Sequence, residues 1–167
     1  MKERLLALSL IILIVTACQK NAEPIVITPE DYHSSVDKVT QVMIHDIFSP
    51  PVASRIYAYP NIAAYEILAQ KEGNYASLAN QLHGLNTIAS PNTEKQVNFD
   101  LAALIAHMDL SKRLIFSEDR IEIFRDSLYA VWENQNKKEF LASKEYGLVV
   151  AEQIAVWMDK DNYKQTR

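Results

Sequence analysis

Four histidines are spread along the chain, and two of them have a carboxylate at a spacing that suits chemistry. Glu30 and His33 are three apart, which puts a carboxylate and an imidazole on one helix face. A di-iron bundle needs two such pairs and two further carboxylates. One pair at a helix start reads instead as solvated end residues. His45 and Asp46 are adjacent, a pair able to ligate a divalent metal for hydrolysis if other helices add His and Asp ligands. His83, His107, Asp100 and Asp109 are available, but no spacing selects them. The plainer reading places His45 near a helix C-terminus, where positive charge is favoured. Asp100 and His107 share a helix face seven residues apart, a polar outer stripe before it is a dyad. Arg55, Tyr59 and Glu66 mark a more polar side of one helix, where a buried Arg–Glu pair would be structural. Lys160, Lys164 and Arg167 make the C-terminus basic, and a solvated, frayed tail is expected there. The sequence contains no G-x-S-x-G elbow, no phosphate-binding G-x-x-x-x-G-K-[ST] loop and no H-E-x-x-H helix.

The remaining reactive side chain is the single cysteine, Cys18. Lys2 and Arg4 precede an apolar run from Leu5 to Ala17, broken only by Ser9 and Thr16. A run of that length is too short for a hydrocarbon core that needs about 20 residues, so it reads as a signal-peptide segment. It ends Val15-Thr16-Ala17-Cys18, which resembles the bacterial lipobox. That resemblance implies cleavage before Cys18 and a diacylglycerol on its thiol. Two or three acyl chains anchor stably where one does not. Gln19 rather than Asp after the cysteine favours the outer membrane, on its periplasmic or surface face. Residues 1–17 are thus expected as a lipoprotein signal peptide, 18–27 as a lipidated tether and 28–167 as the folded domain.

The elements that would position these groups are helical. Thr28-Pro29-Glu30-Asp31 is a helix start, and Val36, Val39, Met43 and Ile47 continue it at helical spacing until Ser49-Pro50-Pro51. A second helix is predicted over about 51–71, with a kink or break at Pro60 and Gly73 as terminator. A short helix is predicted over 75–82, closed by Gly84, and a loop over 85–94. A fourth helix covers about 94–111. The fifth starts at Ser117 as cap, with Phe116 packing on Ile121, and carries Phe124, Leu128, Val131 and Trp132 inward. A polar connector at 134–138 leads to a last helix over 139–160 with Tyr146, Val149, Val150, Ile154, Trp157 and Met158 inward. No alternating strand pattern is present. The prediction is an all-α array or bundle of five to six helices.

Composition agrees with one such domain. The chain has 167 residues, 49% of them hydrophobic and 23% charged, with only 3 glycines. That is too few glycines for a turn-rich sandwich, and a net charge of −4 leaves no basic footprint for nucleic acid. One cysteine excludes an internal disulfide and a cysteine zinc site.

Two segments carry a family resemblance. Residues 42–59, VMIHDIFSPPVASRIYAY, running on into Asn61-Ile62-Ala63-Ala64-Tyr65-Glu66, resemble the N-terminal helical region of Bacteroidetes-type vanadium-dependent haloperoxidases, members of the phosphatidic acid phosphatase type 2 superfamily. Leu114 to Asp119 and Asp159 to Arg167 resemble it as well. The resemblance implies an all-α fold. It also implies, for a full-length member, vanadate or phosphate held by a Lys-and-Arg-Pro motif, a Ser-Gly-His motif and an Arg…His motif. Lys160 and Arg167 have a Lys seven residues before an Arg, but no Arg-Pro or Ser-Gly-His is present, so no catalytic, cofactor-binding or metal-binding residue is carried over. The function expected is the N-terminal helical portion of a haloperoxidase- or acid phosphatase-like lipoprotein, inactive alone. A truncated product, a split reading frame and a separate subunit all fit. The alternative is a non-enzymatic outer-membrane lipoprotein that docks a partner. Expected partners are the membrane through the lipid anchor, a C-terminal catalytic half or a second copy, and no nucleic acid.

Overall fold

The computed structural model describes residues 22–72 and 75–166. Cys18, Gly73 and Arg167 lie outside them, as does the whole of the expected signal peptide. Among the described residues there are five helices and no strand, as the all-α expectation required. None of these helices is long and apolar enough to cross a membrane.

Helix α1, Pro29–His45, starts on a capping box. The Thr28 amide donates to the Asp31 carboxylate (2.7 Å), and the Asp31 amide donates back to Thr28 Oγ1 (3.3 Å). Val39 and Met43 are buried as the spacing predicted, Val42 is buried beside them, and Val36 is half-buried. Ile47, expected to extend that stripe, is instead 88% exposed. The chain leaves the helix through it in the left-handed region (φ 57°), a costly conformation for a β-branched residue.

Helix α2, Pro50–Glu72, continues through Pro60, so of the kink or break expected there the break does not occur. Pro60 removes one backbone donor, but Ile56, Tyr59, Ala63, Ala64 and Ile67 around it are all buried, and that burial outweighs the lost bond. In the same turn Asn61 Nδ2 donates to the Tyr57 carbonyl (2.7 Å).

The helix expected over 75–82 is a set of turns. The buried Glu66 carboxylate competes for its backbone, accepting the Leu78 amide (2.6 Å) and the Ser77 hydroxyl (2.7 Å). Asn80 and Gly84 both take positive φ (64° and 72°), which no helix permits.

Helix α3, Phe99–Leu114, is capped by Asn98, whose side chain accepts the Leu101 amide (3.1 Å). It begins later than the expected 94. Every residue from Leu101 to Met108 is buried, so α3 is the central rod, packed along α2 and α4. Helix α4, Glu118–Asp159, is two helical pieces joined at Asn136, the one residue with non-helical dihedrals (φ −152°, ψ 86°). This is the polar connector expected at 134–138. Gly147 lies where α4 crosses α3 so closely that an added Cβ would sit 2.6 Å from the Ala102 carbonyl oxygen. Val131 and Val149, expected inward on α4, are 59% and 45% exposed. A four-residue helix, α5 (Tyr163–Thr166), closes the described chain.

Candidate functional site

Three of the four histidines are exposed: His33 and His45 at opposite ends of α1, and His83 in the turn that follows α2. Among the described residues no group of three or more His, Cys, Asp or Glu is placed to hold a metal ion. Glu30 is exposed beside His33 at the start of α1, the solvated arrangement.

Asp46 does not act with His45. It reaches across to the start of α4, where its Oδ2 accepts the amides of Phe116 (2.9 Å) and Ser117 (3.0 Å) and its Oδ1 accepts the Ser117 hydroxyl. Ser117, expected to cap with its own hydroxyl, forms no side-chain cap bond, and Asp46 supplies the negative end instead. Burial pushes the Asp46 carboxyl upward, but the bonds from Ser117 and Phe116 outweigh it and hold the pKa below the usual carboxylate value. The Phe116 ring lies over Phe48 (4.6 Å).

Asp100 and His107 are not a dyad. Asp100 pairs with Lys71 of α2 (2.8 Å), whereas His107 is only 2% exposed. Its Nδ1 is 2.8 Å from Ser35 Oγ, and its ring lies 5.0 Å from that of Tyr32. Burial lowers the His107 pKa to about 4, so the ring is neutral at neutral pH. Arg55 and Glu66 are likewise separate. Arg55 clamps the C-terminus, donating to the Asp161 carbonyl (2.7 Å), the Asp161 carboxylate (2.9 Å) and Thr166 Oγ1 (2.6 Å). Tyr59 donates to the same carboxylate. The tyrosine bond first, then Arg55, holds the Asp161 pKa below its ordinary value. Tyr163, 1% exposed, donates to the Leu114 carbonyl (2.6 Å). The tail expected to fray is therefore docked over its described residues.

Beside this clamp, between the 82–84 turn and the end of α4, lies an open groove of about 390 Å³ lined by Leu82, His83, Gly84, Trp157, Lys160 and Asp161. Trp157 Nε1 donates to the His83 carbonyl (3.0 Å) and fixes the indole as one wall. The groove offers one ammonium and one exposed imidazole, while Asp161 is committed to Arg55 and Tyr59. A tetrahedral oxyanion needs several fixed donors around its oxygens, and these lining residues do not make that set.

No family model matches the sequence, and no curated protein does. Among solved structures, the crystal structure of the first bacterial vanadium-dependent iodoperoxidase superimposes with a TM-score of 0.86 at 64% sequence identity, over 88% of this chain. The chain is similar to the N-terminal part of this vanadium-dependent iodoperoxidase. It spans only 36% of the iodoperoxidase's length. Residues that resembled the haloperoxidases in sequence now have places: 42–66 form the end of α1, its turn and most of α2, and 114–119 form the Asp46-capped start of α4.

One constellation escaped the sequence reading. Glu139, 5% exposed just after the α4 kink, accepts the Ile25 amide (3.0 Å), Asn98 Nδ2 (2.9 Å) and Asn136 Nδ2 (2.9 Å). Asn98 Nδ2 also donates to the Ile25 carbonyl (2.7 Å). Gln135 holds the Pro24 carbonyl (2.9 Å), and the Ile25 side chain is buried among Leu101, Leu104, Met108, Trp132 and Phe140. The end of the expected 18–27 tether is thus fastened to the domain. The signal was the polar 134–139 run itself, whose asparagines and glutamate have more hydrogen-bonding capacity than a connector requires.

Proposed function

We propose that this chain is the N-terminal helical portion of a lipid-anchored vanadium haloperoxidase- or type 2 acid phosphatase-like protein. In this reading it frames an oxyanion pocket whose donor groups lie in sequence it does not contain, and it is inactive alone. Cys18 carries the lipid anchor, and the domain sits at the outer membrane. The observation that supports the reading most is the match at 64% identity over 88% of this chain against 36% of the iodoperoxidase, together with the absence of Arg-Pro and Ser-Gly-His from the sequence.

Isothermal titration of orthovanadate into the purified chain tests the reading. The expected result is no binding heat, and micromolar affinity would overturn it. On this reading strong enhancement of an apolar dye such as ANS by the same protein is expected, because a framing domain without its covering half exposes apolar surface. A self-sufficient docking lipoprotein would leave that dye dark.

A further inference from the structure

The clasp on Ile25 changes what an anchor at Cys18 would do. A free tether over residues 19–27 would reach about 30 Å at ~3.3 Å per residue, enough for the domain to tumble. The structure fastens the backbone from Glu23 onward: Asn136 Nδ2 donates to the Glu23 carbonyl (3.4 Å), Gln135 holds Pro24, and Glu139 with Asn98 reads both the amide and the carbonyl of Ile25. Five peptide steps remain between Cys18 and Glu23, a span of at most roughly 17 Å. A domain of this size has a radius of gyration of roughly 14 Å and so a diameter of roughly 37 Å. A leash shorter than the diameter cannot let the far side of the domain reach the surface that holds the anchor.

We propose that the Ile25 clasp selects the membrane-facing side of this domain: the surface around the α4 kink, including Asn134, Gln135 and the exposed Lys137 and Lys138, lies against a lipid bilayer. The partner is the lipid surface in which the Cys18 acyl chains are seated. The inference rests on the lipidation of Cys18 put forward above and adds to it an orientation. The opposite pole is the α1–α2 turn. It is joined through Asp46 to Phe116 and Ser117, just beyond the C-terminal end of α3, and the 16 residues of α3 separate that end from Asn98 by about 24 Å.

The test uses the full chain isolated from bacterial membranes. Mass analysis of its N-terminal peptide reports acylation of Cys18. Two single-site variants on exposed positions, Asn134→Cys beside the kink and Ile44→Cys at the opposite pole, are labelled with bimane. An acylated Cys18 does not take the label. Both are then incorporated into phosphatidylethanolamine–phosphatidylglycerol vesicles containing a nitroxide-headgroup lipid. Quenching several-fold stronger at position 134 than at 44 is expected. Acylated protein with equal or reversed quenching overturns the orientation and leaves the anchor standing. A Cys18 without lipid overturns the anchor and the orientation with it.

Discussion

His107 is a neutral imidazole sealed on the central helix against Ser35 and Tyr32. Its pKa in the folded chain is about 4, against 6.5 for the free side chain. The folded state therefore binds the proton more weakly than the unfolded state does. Stability is fully present above pH 6.5 and is lost as pH falls from 6.5 towards 4. The difference corresponds to about 3 kcal/mol. Urea unfolding at pH 7.5 and pH 4.5 should show this loss in the natural chain. His107→Gln, which can still bond Ser35, should flatten the curve over that window while sparing the steeper fall at lower pH, where Asp46 and Asp161 are protonated. An unchanged pH profile in the variant would contradict the assignment. The sequence placed His107 on a polar outer stripe with Asp100. What misled was extending the outer position of Asp100 along the helix: from Leu101 to Met108 every residue is buried, and a histidine inside that apolar run belongs to the interior.

Between elements, two contacts decide how α4 is placed. At its start, Asp46 of the α1–α2 turn takes the capping role that Ser117 leaves unfilled. Asp46→Ala should cost about 1–2 kcal/mol, and Ser117→Ala less, because Ser117 contributes one hydroxyl bond whereas Asp46 satisfies two amides as well. Thermal melts of the two variants rank them. Along its second half, Gly147 lets α4 lie against the Ala102 carbonyl. The clash is with backbone, not with a side chain that can swing away, so Gly147→Ala should destabilise by about 1–3 kcal/mol despite its better helix propensity. A neutral or stabilising Ala variant would mean that the helices can separate. The helices themselves were legible from spacing and caps: Thr28 and Pro29 start α1, and the 134–138 connector divides α4. Their tertiary partners were not. Nothing local to Ser117 tells that its cap comes from residue 46, and nothing local to 75–82 tells that Glu66 will take the Leu78 amide and the Ser77 hydroxyl.

For the molecule as a whole, α3 joins two buried regions: a larger one shared with α1, α2 and the end of α4, and a smaller one around the kink that Ile25 completes. The family resemblance was readable in residues 42–66 because a turn between two helices, followed by two prolines and carrying the Asp46 carboxylate that caps α4, constrains many residue types at once. The candidate site was not readable, since the oxyanion motifs it would need are absent from the sequence and the groove beside Trp157 is assembled from a turn that propensity read as helix. The two tryptophans occupy the two regions separately: Trp132, 6% exposed, packs with Ile25, whereas Trp157 walls the open groove. Their emission should therefore sort by environment, blue for the first and red for the second. With Trp157→Phe, the remaining indole becomes a built-in gauge of strap release. Ile25→Ala should shift its maximum to longer wavelength well before the far-ultraviolet signal of the helices melts, so that the N-terminal fastening can be watched coming undone by light alone.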